Sequence, residues 1–390
     1  MKIKPVNDTV QNQTKIRTNA RTKCQISKEE RYYTASPMRL IIMRFLKHKL
    51  AIIGFVILSL FYLSAVFASF LSLNDPEEYF DDYTFSPPQF PRFIDSEGLS
   101  IRPFYYALEK IRDPETLQMK YTFNTDKRLY IEFFKSGYRY ELFGFIDTDI
   151  HLMGGQDGAP LFIFGTDSLG RDLFSRSIYA TRISLTIGLV GVFITFILGC
   201  LFGGISGYYG GWVDIVIQRI IEFLMSIPML PLWMALSAAL PRQWSQLQLY
   251  FAITIILAIA SWTGLARVVR GKLISLRSED YVTAAVLSGV SDARIIVKHL
   301  LPGFTSYLIV SVTLSIPAMI LGETALSFLG LGLQAPTVSW GVLLSGAQNI
   351  KSIALYPWTM IPGLFVILAV LAFNFVGDGL RDAADPYKEG

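Results

Sequence analysis

The sequence predicts an all-α polytopic membrane protein with six transmembrane helices and a small β-rich extracytoplasmic insertion between the first two. Three observations lead to this prediction: an apolar composition, long windows without charge, and an aromatic segment at 75–164. Of the 390 residues, 52% are hydrophobic, and the mean hydropathy is +0.42. Soluble domains are less apolar than this. A lipid bilayer is therefore the expected environment of most of the chain.

Six windows contain no charged residue and account for the six predicted helices. An apolar helix needs about 20 residues to cross the hydrocarbon core, and the third window reaches that length by starting near Trp212. The windows are residues 50–74, 183–213, 223–241, 243–266, 300–322 and 352–377.

A seventh uncharged window, 324–350, carries glycines, Pro336 and polar residues such as Gln334 and Gln348. Irregular backbone at membrane depth is tolerated where protein or a water-filled cavity satisfies it. We interpret this window as a re-entrant or an interfacial segment. Counting it as a span would put the C-terminal tail on the opposite side of the membrane.

Basic residues predict which loops face the cytoplasm. Residues 1–48 carry eleven Lys and Arg against three acidic residues, and the loop 267–298 carries six against three. The positive-inside rule assigns both to the cytoplasm, and six spans place both termini there. The 1–48 tail is expected to be disordered. It lacks the apolar region of a signal peptide, and its basic composition leaves an organelle transit peptide as the alternative.

The segment 75–164 is too aromatic to be disordered. Residues 128–134 and 138–145 have strand-like composition and are separated by Lys135, Ser136 and Gly137, which predicts a hairpin with its turn at these three residues. We therefore expect a small β-rich domain outside the membrane. Two roles stay open for it: a packing cap, or contact with a partner or a substrate.

The loop after the fourth window has the pattern of two short helices. Ser278 and the acidic Glu279 and Asp280 predict a helix start, and Gly289 predicts its end. Ser291 and Asp292 repeat the start pattern.

The second helix is expected over 293–301 and to end at Pro302, where the fifth span begins. The two helices would form a compact elbow, residues 278–302, with Ala284 and Ala285 able to lie against another surface. The alternative is an ordinary structured loop.

The elbow resembles the EAA signature of the membrane subunits of ABC importers. Thr283 stands where that family has a glutamate, so we expect the shape of the elbow, and not an ion pair at this position, to bind the ATPase. The residues that we predict to couple to the ATPase are Tyr281, Thr283, Ala284, Ala285, Gly289, Leu301 and Pro302.

Three further stretches resemble the C-type subunit of the dipeptide and oligopeptide permease family. They are Gly165-Thr-Asp-Ser-Leu-Gly-Arg-Asp172 with Ser175-Arg176, Ser327-Phe-Leu-Gly-Leu-Gly332 with Trp340-Gly341, and Arg381-Asp-Ala-Ala-Asp-Pro386. The resemblance covers roughly residues 40–74 and 165–390 and implies an ABC importer permease fold, with a first helix at 49–74 and, after the insertion, a core permease domain at 165–390 with five transmembrane helices.

The resemblance also implies a function. It predicts a permease subunit of an ATP-driven peptide importer in a bacterial inner membrane, with nickel, glutathione or another small solute as alternative cargo. The expected partners are a B-type permease, two ATP-binding subunits and an extracytoplasmic solute-binding protein. We expect ATP and Mg to bind those partner subunits, because this sequence has no phosphate-binding loop. We therefore expect no catalysis and no cofactor on this chain.

Two groups of residues within the spans are further candidates for a role in packing or transport. Gly199, Gly203, Gly207 and Gly211 recur every four residues, which favours close helix packing, with a role in the pore as the alternative. Glu323 ends the fifth span, where it would line an outer gate or cap the bundle.

Charged pairs next to spans have a structural interpretation. Arg219 and Glu222, three apart, are expected to pair. Asp172 and Arg176, four apart, predict an amphipathic helix at the outer interface before the second span.

Other functional classes find little support in the sequence. Cys24 and Cys200 are the only cysteines and the three histidines are scattered, so we expect no disulfide framework and no metal site. An ion-coupled secondary transporter would need ionisable residues at mid-span, and the predicted spans are nearly free of charge at their centres. A membrane-anchored enzyme would need a catalytic group in 75–164, where His151 is the only histidine.

Overall fold

The computed structural model of the protein describes residues 37–95, 98–112, 119–156, 159–241 and 243–384. Most of the predicted basic tail and the final residues 385–390 lie outside these ranges. The helices are α1 Pro37–Phe45, α2 Lys49–Val66, α3 Ala68–Leu71, α4 Leu173–Tyr209, α5 Gly211–Ser226, α6 Met229–Ala238, α7 Gln246–Leu276, α8 Asp280–Leu287, α9 Asp292–Phe328, α10 Trp340–Ser345, α11 Ile350–Leu355 and α12 Pro357–Ala384.

Five helices are long and apolar enough to cross a membrane: α2, α4, α7, α9 and α12. The third predicted span is a helix pair, α5 and α6, bent by 86°. The break lies at Ile227, which is extended and precedes Pro228, because a proline disfavours the helical conformation of the residue before it. The described residues therefore contain five candidate spans, or six if the bent pair counts as one.

The long helices pack around α4. This helix lies along α7, and α9 packs on both α4 and α12, which in turn packs on α2. The rings of Phe61, Trp340 and Phe365 meet in the core, with centroids 5.7–6.2 Å apart. The Trp340 indole donates to the Ser177 carbonyl at 3.1 Å. The short helix α10, inside the uncharged window 324–350, is therefore held within the bundle.

Between residues 92 and 154, the part of the chain that the structure describes forms five strands in two antiparallel sheets. One sheet has the order β1-β2-β3 and the other pairs β4 with β5. The strands are β1 Arg92–Asp95, β2 Gly98–Arg112, β3 Met119–Tyr130, β4 Glu132–Leu142 and β5 Ile146–Gly154.

The predicted hairpin in this segment is wrong in its register. Residues 135–137 lie inside β4, and the turn falls at Phe143–Phe145, so that Leu142 pairs with Ile146. Phe143 and Gly144 have positive φ angles of 57° and 78°. Gly137 is needed in the strand because a Cβ there would lie 2.7 Å from the His151 ring. The glycine that suggested a turn makes room for an aromatic ring instead.

The predicted interfacial helix at Asp172 and Arg176 is also wrong. Asp172 caps the N-terminus of α4 by accepting from the backbone N–H groups of Phe174 and Ser175. Arg176 is buried in the second turn and donates to the Pro76 carbonyl at 2.7 Å. The rest of the chain buries Asp172 and Arg176. They therefore lie at the start of the spanning helix α4 and not on a separate interfacial helix.

Candidate coupling site

The elbow 278–302 begins with the helix α8. Glu279 occupies the N-cap with φ −70° and ψ 148°, and Asp280 lies in the first turn. The predicted cap, Ser278, therefore lies one residue too early. The acidic first turn still complements the positive end of the helix.

Gly289 ends α8 as predicted. It has a φ of +72°, and the N–H groups of Gly289 and Val290 donate to the carbonyls of Val286 and Ala285 at 3.0 and 3.2 Å. This is the Schellman arrangement, which favours glycine at the left-handed position. The prediction that α8 stops here is confirmed.

The prediction of a separate second helix that ends at Pro302 is wrong. After Ser291 the chain forms a helical turn, a π-helical stretch Ile295–Leu300 and a 3₁₀ turn Leu301–Phe304, which continue into the rest of α9. The Leu301 N–H donates to the Ile296 carbonyl. Because proline is tolerated in the first turn of a helical segment, Pro302 does not interrupt the helix. The elbow is thus continuous with a spanning helix.

One face of the elbow packs on its own chain. Val282, Ala285 and Leu300 are buried in a cluster with Val269 and Leu273 of α7. Ala285, which we predicted to lie against another surface, is only 8% exposed. Its side chain therefore serves the fold of the subunit.

The opposite face of the elbow is open. Leu287, at the last position of α8, is 83% exposed, and Val286 beside it is also exposed. Leu287 is not among the residues that the sequence predicts for this site, although a leucine just before a helix-stopping glycine is a usable signal. The other predicted residues of this site are exposed, except for the half-buried Leu301: Tyr281, Thr283, Ala284, Gly289 and Pro302.

Hydrogen bonds tie the elbow to the end of α4. The phenols of Tyr208 and Tyr209 donate to the two carboxylate oxygens of Asp292 at 2.9 and 3.1 Å. Beside them, Arg270 of α7 forms a bidentate pair with Asp214 of α5 at 2.5 and 2.6 Å. These contacts join residues that are far apart in sequence, so no local pattern could have predicted them.

The glycine series of α4 lies against α7. Cβ atoms added at Gly199, Gly203 and Gly207 would lie 2.8, 2.5 and 2.8 Å from atoms of α7. Gly211 does not belong to this face, because α4 ends at Tyr209 and Gly211 starts α5. A Cβ at Gly211 would meet no atom within 4 Å.

Glu323 is fully buried in α9. Its Oε1 accepts from the hydroxyls of Ser327 and Ser339 at 2.8 and 2.7 Å, which joins α9 to the start of α10. The carboxyl therefore lies in the interior of the subunit. Arg219 and Glu222 pair at 2.7 Å on an exposed surface, as predicted.

Sequence comparisons assign this architecture to a family. The profile of the family described as "binding-protein-dependent transport system inner membrane component" matches residues 199–389, and that of the "N-terminal TM domain of oligopeptide transport permease C" matches 36–88. The oligopeptide transport system permease protein OppC of Haemophilus influenzae is 41% identical over 247 residues, which are 63% of this chain and 76% of that protein. The chain belongs to the family of binding-protein-dependent transport system inner membrane components.

Other permeases of the family are similar to a comparable extent. The dipeptide permease protein DppC of Bacillus subtilis is 41% identical over 57% of this chain and 68% of its own length. OppC of Escherichia coli is 39% identical over 63% of this chain and 79% of its own length. Neither family profile covers 89–198, the range that holds both described sheets of this permease.

Proposed function

We propose that this chain is the transmembrane permease subunit of an ATP-driven importer of dipeptides or oligopeptides, forming half of the translocation pathway. The names of its relatives suggest the substrate. Its partners would be a B-type permease, two ATP-binding subunits that carry ATP and Mg, and an extracytoplasmic solute-binding protein. The chain itself would contribute no catalytic group.

The proposed location is a bacterial inner membrane, with both termini and the elbow in the cytoplasm. The basic residues of 1–48 and 267–298 support this orientation. It requires α5 and α6 to act together as one span. Residues 75–164 would then lie outside the membrane. The chain would divide into a cytoplasmic tail, a first span, this insertion and a core permease domain at 165–390.

The observation that carries the proposal is the exposed apolar end of α8. Leu287 projects from a short helix whose other face is packed on α7. Together with the exposed Val286 beside it, Leu287 forms an apolar patch, and exposed apolar patches mark interaction sites. Because α8 leads through Gly289 into α9, a displacement of Leu287 would be transmitted to a spanning helix.

The test is a Leu287→Asp variant in the complete complex, reconstituted in liposomes with the binding protein and a peptide. We expect both peptide-stimulated ATP hydrolysis and uptake to fall at least about tenfold, because a lost anchor costs more than about 1.4 kcal/mol. The matched control is Ile101→Asp, which changes another strongly exposed apolar residue, 94% accessible, in β2. Normal coupling in the Leu287 variant would refute the docking role.

The same preparation tests the substrate. ATP hydrolysis that responds to a dipeptide or an oligopeptide, and not to nickel or glutathione, is the expected result. Uptake driven by an ion gradient without ATP would refute the proposal altogether.

A further inference from the structure

The hairpin of β4 and β5, residues 132–154, carries large aromatic side chains that its own chain leaves uncovered. Phe134 is 67% exposed and Phe145 is 77% exposed. Phe133, Phe143 and Ile146 are exposed as well. Of these residues, Phe134, Phe143 and Phe145 form what we call the aromatic hairpin face, in which the rings of Phe143 and Phe145 lie 6.2 Å apart. Exposed apolar patches of this kind mark an interaction surface.

Contacts fix this hairpin to the end of the first spanning helix. The Phe143 ring lies 5.7 Å from that of Phe67, and the Phe134 ring 6.4 Å from that of Phe70. The two ring nitrogens of the buried His151 lie 2.9 Å from the Ser69 carbonyl and 3.0 Å from the Tyr138 carbonyl. The start and the turn of the hairpin are thus both held against residues 67–70.

The length of α2 shows at which depth in the bilayer the hairpin contacts residues 67–70. Its 18 residues rise about 27 Å at 1.5 Å per residue, close to the roughly 30 Å of the hydrocarbon core. Since Lys49 begins α2, its last residue, Val66, lies near the opposite boundary. Phe67 and Phe70 follow directly. The hairpin that contacts them therefore lies at the level of the lipid headgroups.

A second, independent marker gives the same depth. Arg182 of α4 donates to the Ala65 carbonyl at 2.7 Å and to the Val66 carbonyl at 3.3 Å. Its guanidinium also lies 5.0 Å from the centre of the Tyr179 ring. A basic group that caps a spanning helix beside a tyrosine is typical of the membrane–water interface.

The neighbouring surface of α2 identifies what covers the hairpin. Only 17% of the apolar window of α2 is buried within the chain, and its outer turns expose Leu60, Leu63 and Val66. This apolar surface continues through Phe67 to the aromatic hairpin face. A surface continuous with the lipid-facing side of a span fits the bilayer.

We infer that the aromatic hairpin face inserts into the interfacial layer of the lipid bilayer, with Phe143 and Phe145 at the boundary between headgroups and acyl chains. The inserted rings hold the hairpin flat on the membrane, as the apolar side of an interfacial amphipathic element does. This role requires α2 to cross the bilayer and does not depend on what the transporter carries.

The test places a spin label at position 145 of the full complex in nanodiscs of phosphatidylethanolamine and phosphatidylglycerol. Cys24 and Cys200 are first replaced, since they are the only cysteines, and Phe145→Cys is then labelled. The matched control is Ile101→Cys, which is 94% exposed and lies in the other sheet. Collisions with oxygen report lipid, and collisions with a water-soluble nickel chelate report solvent.

We expect the oxygen-to-nickel collision ratio to be several-fold higher at position 145 than at 101. Equal ratios at the two positions would overturn the inference. Protection of position 145 from both reagents would also overturn it, because a protein partner would then cover the face. A Phe145→Trp variant gives a second measurement: lipids brominated near the headgroup should quench its added fluorescence more than lipids brominated near the chain end.

Discussion

Replacing Gly203 by alanine should force α4 and α7 apart. An added Cβ would lie 2.5 Å from the Ala266 carbonyl oxygen and 2.8 Å from Val269 Cβ, whereas carbon atoms pack best at about 3.5–4.0 Å. The nearest obstacle is backbone, so the helices must separate by about 1 Å to restore that spacing. Overpacking of this kind costs about 1–3 kcal/mol.

Gly271→Ala supplies the matched control for this prediction. Gly271 lies on α7, and a Cβ there meets no atom within 4 Å. Both substitutions gain the same intrinsic helix preference of alanine, about 1 kcal/mol. The difference in stability between the two variants therefore isolates the packing cost, which corresponds to about a 5- to 140-fold change in the unfolding equilibrium.

The assay is unfolding of the purified chain in mixed micelles with increasing dodecyl sulfate, followed by tryptophan fluorescence. Trp262 of α7 reports the contact directly, because its ring lies 4.9 Å from that of Phe202, the neighbour of Gly203 on α4. We expect the Gly203 variant to unfold at lower dodecyl sulfate than the Gly271 variant. Identical midpoints would refute the argument that α4 needs glycine for close approach.

Three further predictions concern single polar or backbone positions. Burial raises the pKa of Asp172 from 3.8 to about 6, so stability present below pH 3.8 is lost as pH rises through 6. Asp172 should contribute a loss of about 2 kcal/mol between pH 4.5 and 7 in chemical unfolding, and the wild type should lose more stability over this range than Asp172→Asn by that amount. Gly289→Val should reduce coupled ATP hydrolysis, since a β-branched residue at φ +72° is strained, whereas Gly289→Asn should retain it; equal activities would contradict the strain argument. Glu323→Ala should lower the unfolding midpoint by leaving two buried serine hydroxyls without their acceptor, each costing about 1–3 kcal/mol. Glu323→Gln keeps an acceptor and should unfold close to the wild type.

The sequence predicted features that depend on local chemistry. Gly289 ends α8 because a left-handed residue is needed there, and glycine is the residue that adopts this conformation without strain. Five of the uncharged windows each correspond to one candidate span, although 50–74 and 183–213 extend past the ends of α2 and α4. Arg219 and Glu222 pair because residues three apart on a helix are neighbours.

The features that sequence analysis missed depend on contacts between distant segments. Arg176 was predicted at an interface, and its burial depends on the carbonyl of Pro76, one hundred residues away. Gly137 suggested a turn, and the ring of His151 requires it in a strand. Ala284 and Ala285 are neighbouring alanines of one predicted helix, and nothing in the sequence shows which of them faces inward. Only the packing of α8 on α7 shows that Ala285 faces inward.

Helix α4 spans more than the bilayer. Its 37 residues extend about 55 Å, against the roughly 30 Å of the hydrocarbon core. Tyr208 and Tyr209 hold the elbow at one end, and Asp172 and Arg176 hold the segment that follows α2 at the other. As a rigid rod, α4 would act as a lever: a tilt of about 5° about its centre moves each end by about 2 Å in opposite directions. A small displacement of α8 would then appear at the other end of α4 with about the same size and the opposite direction.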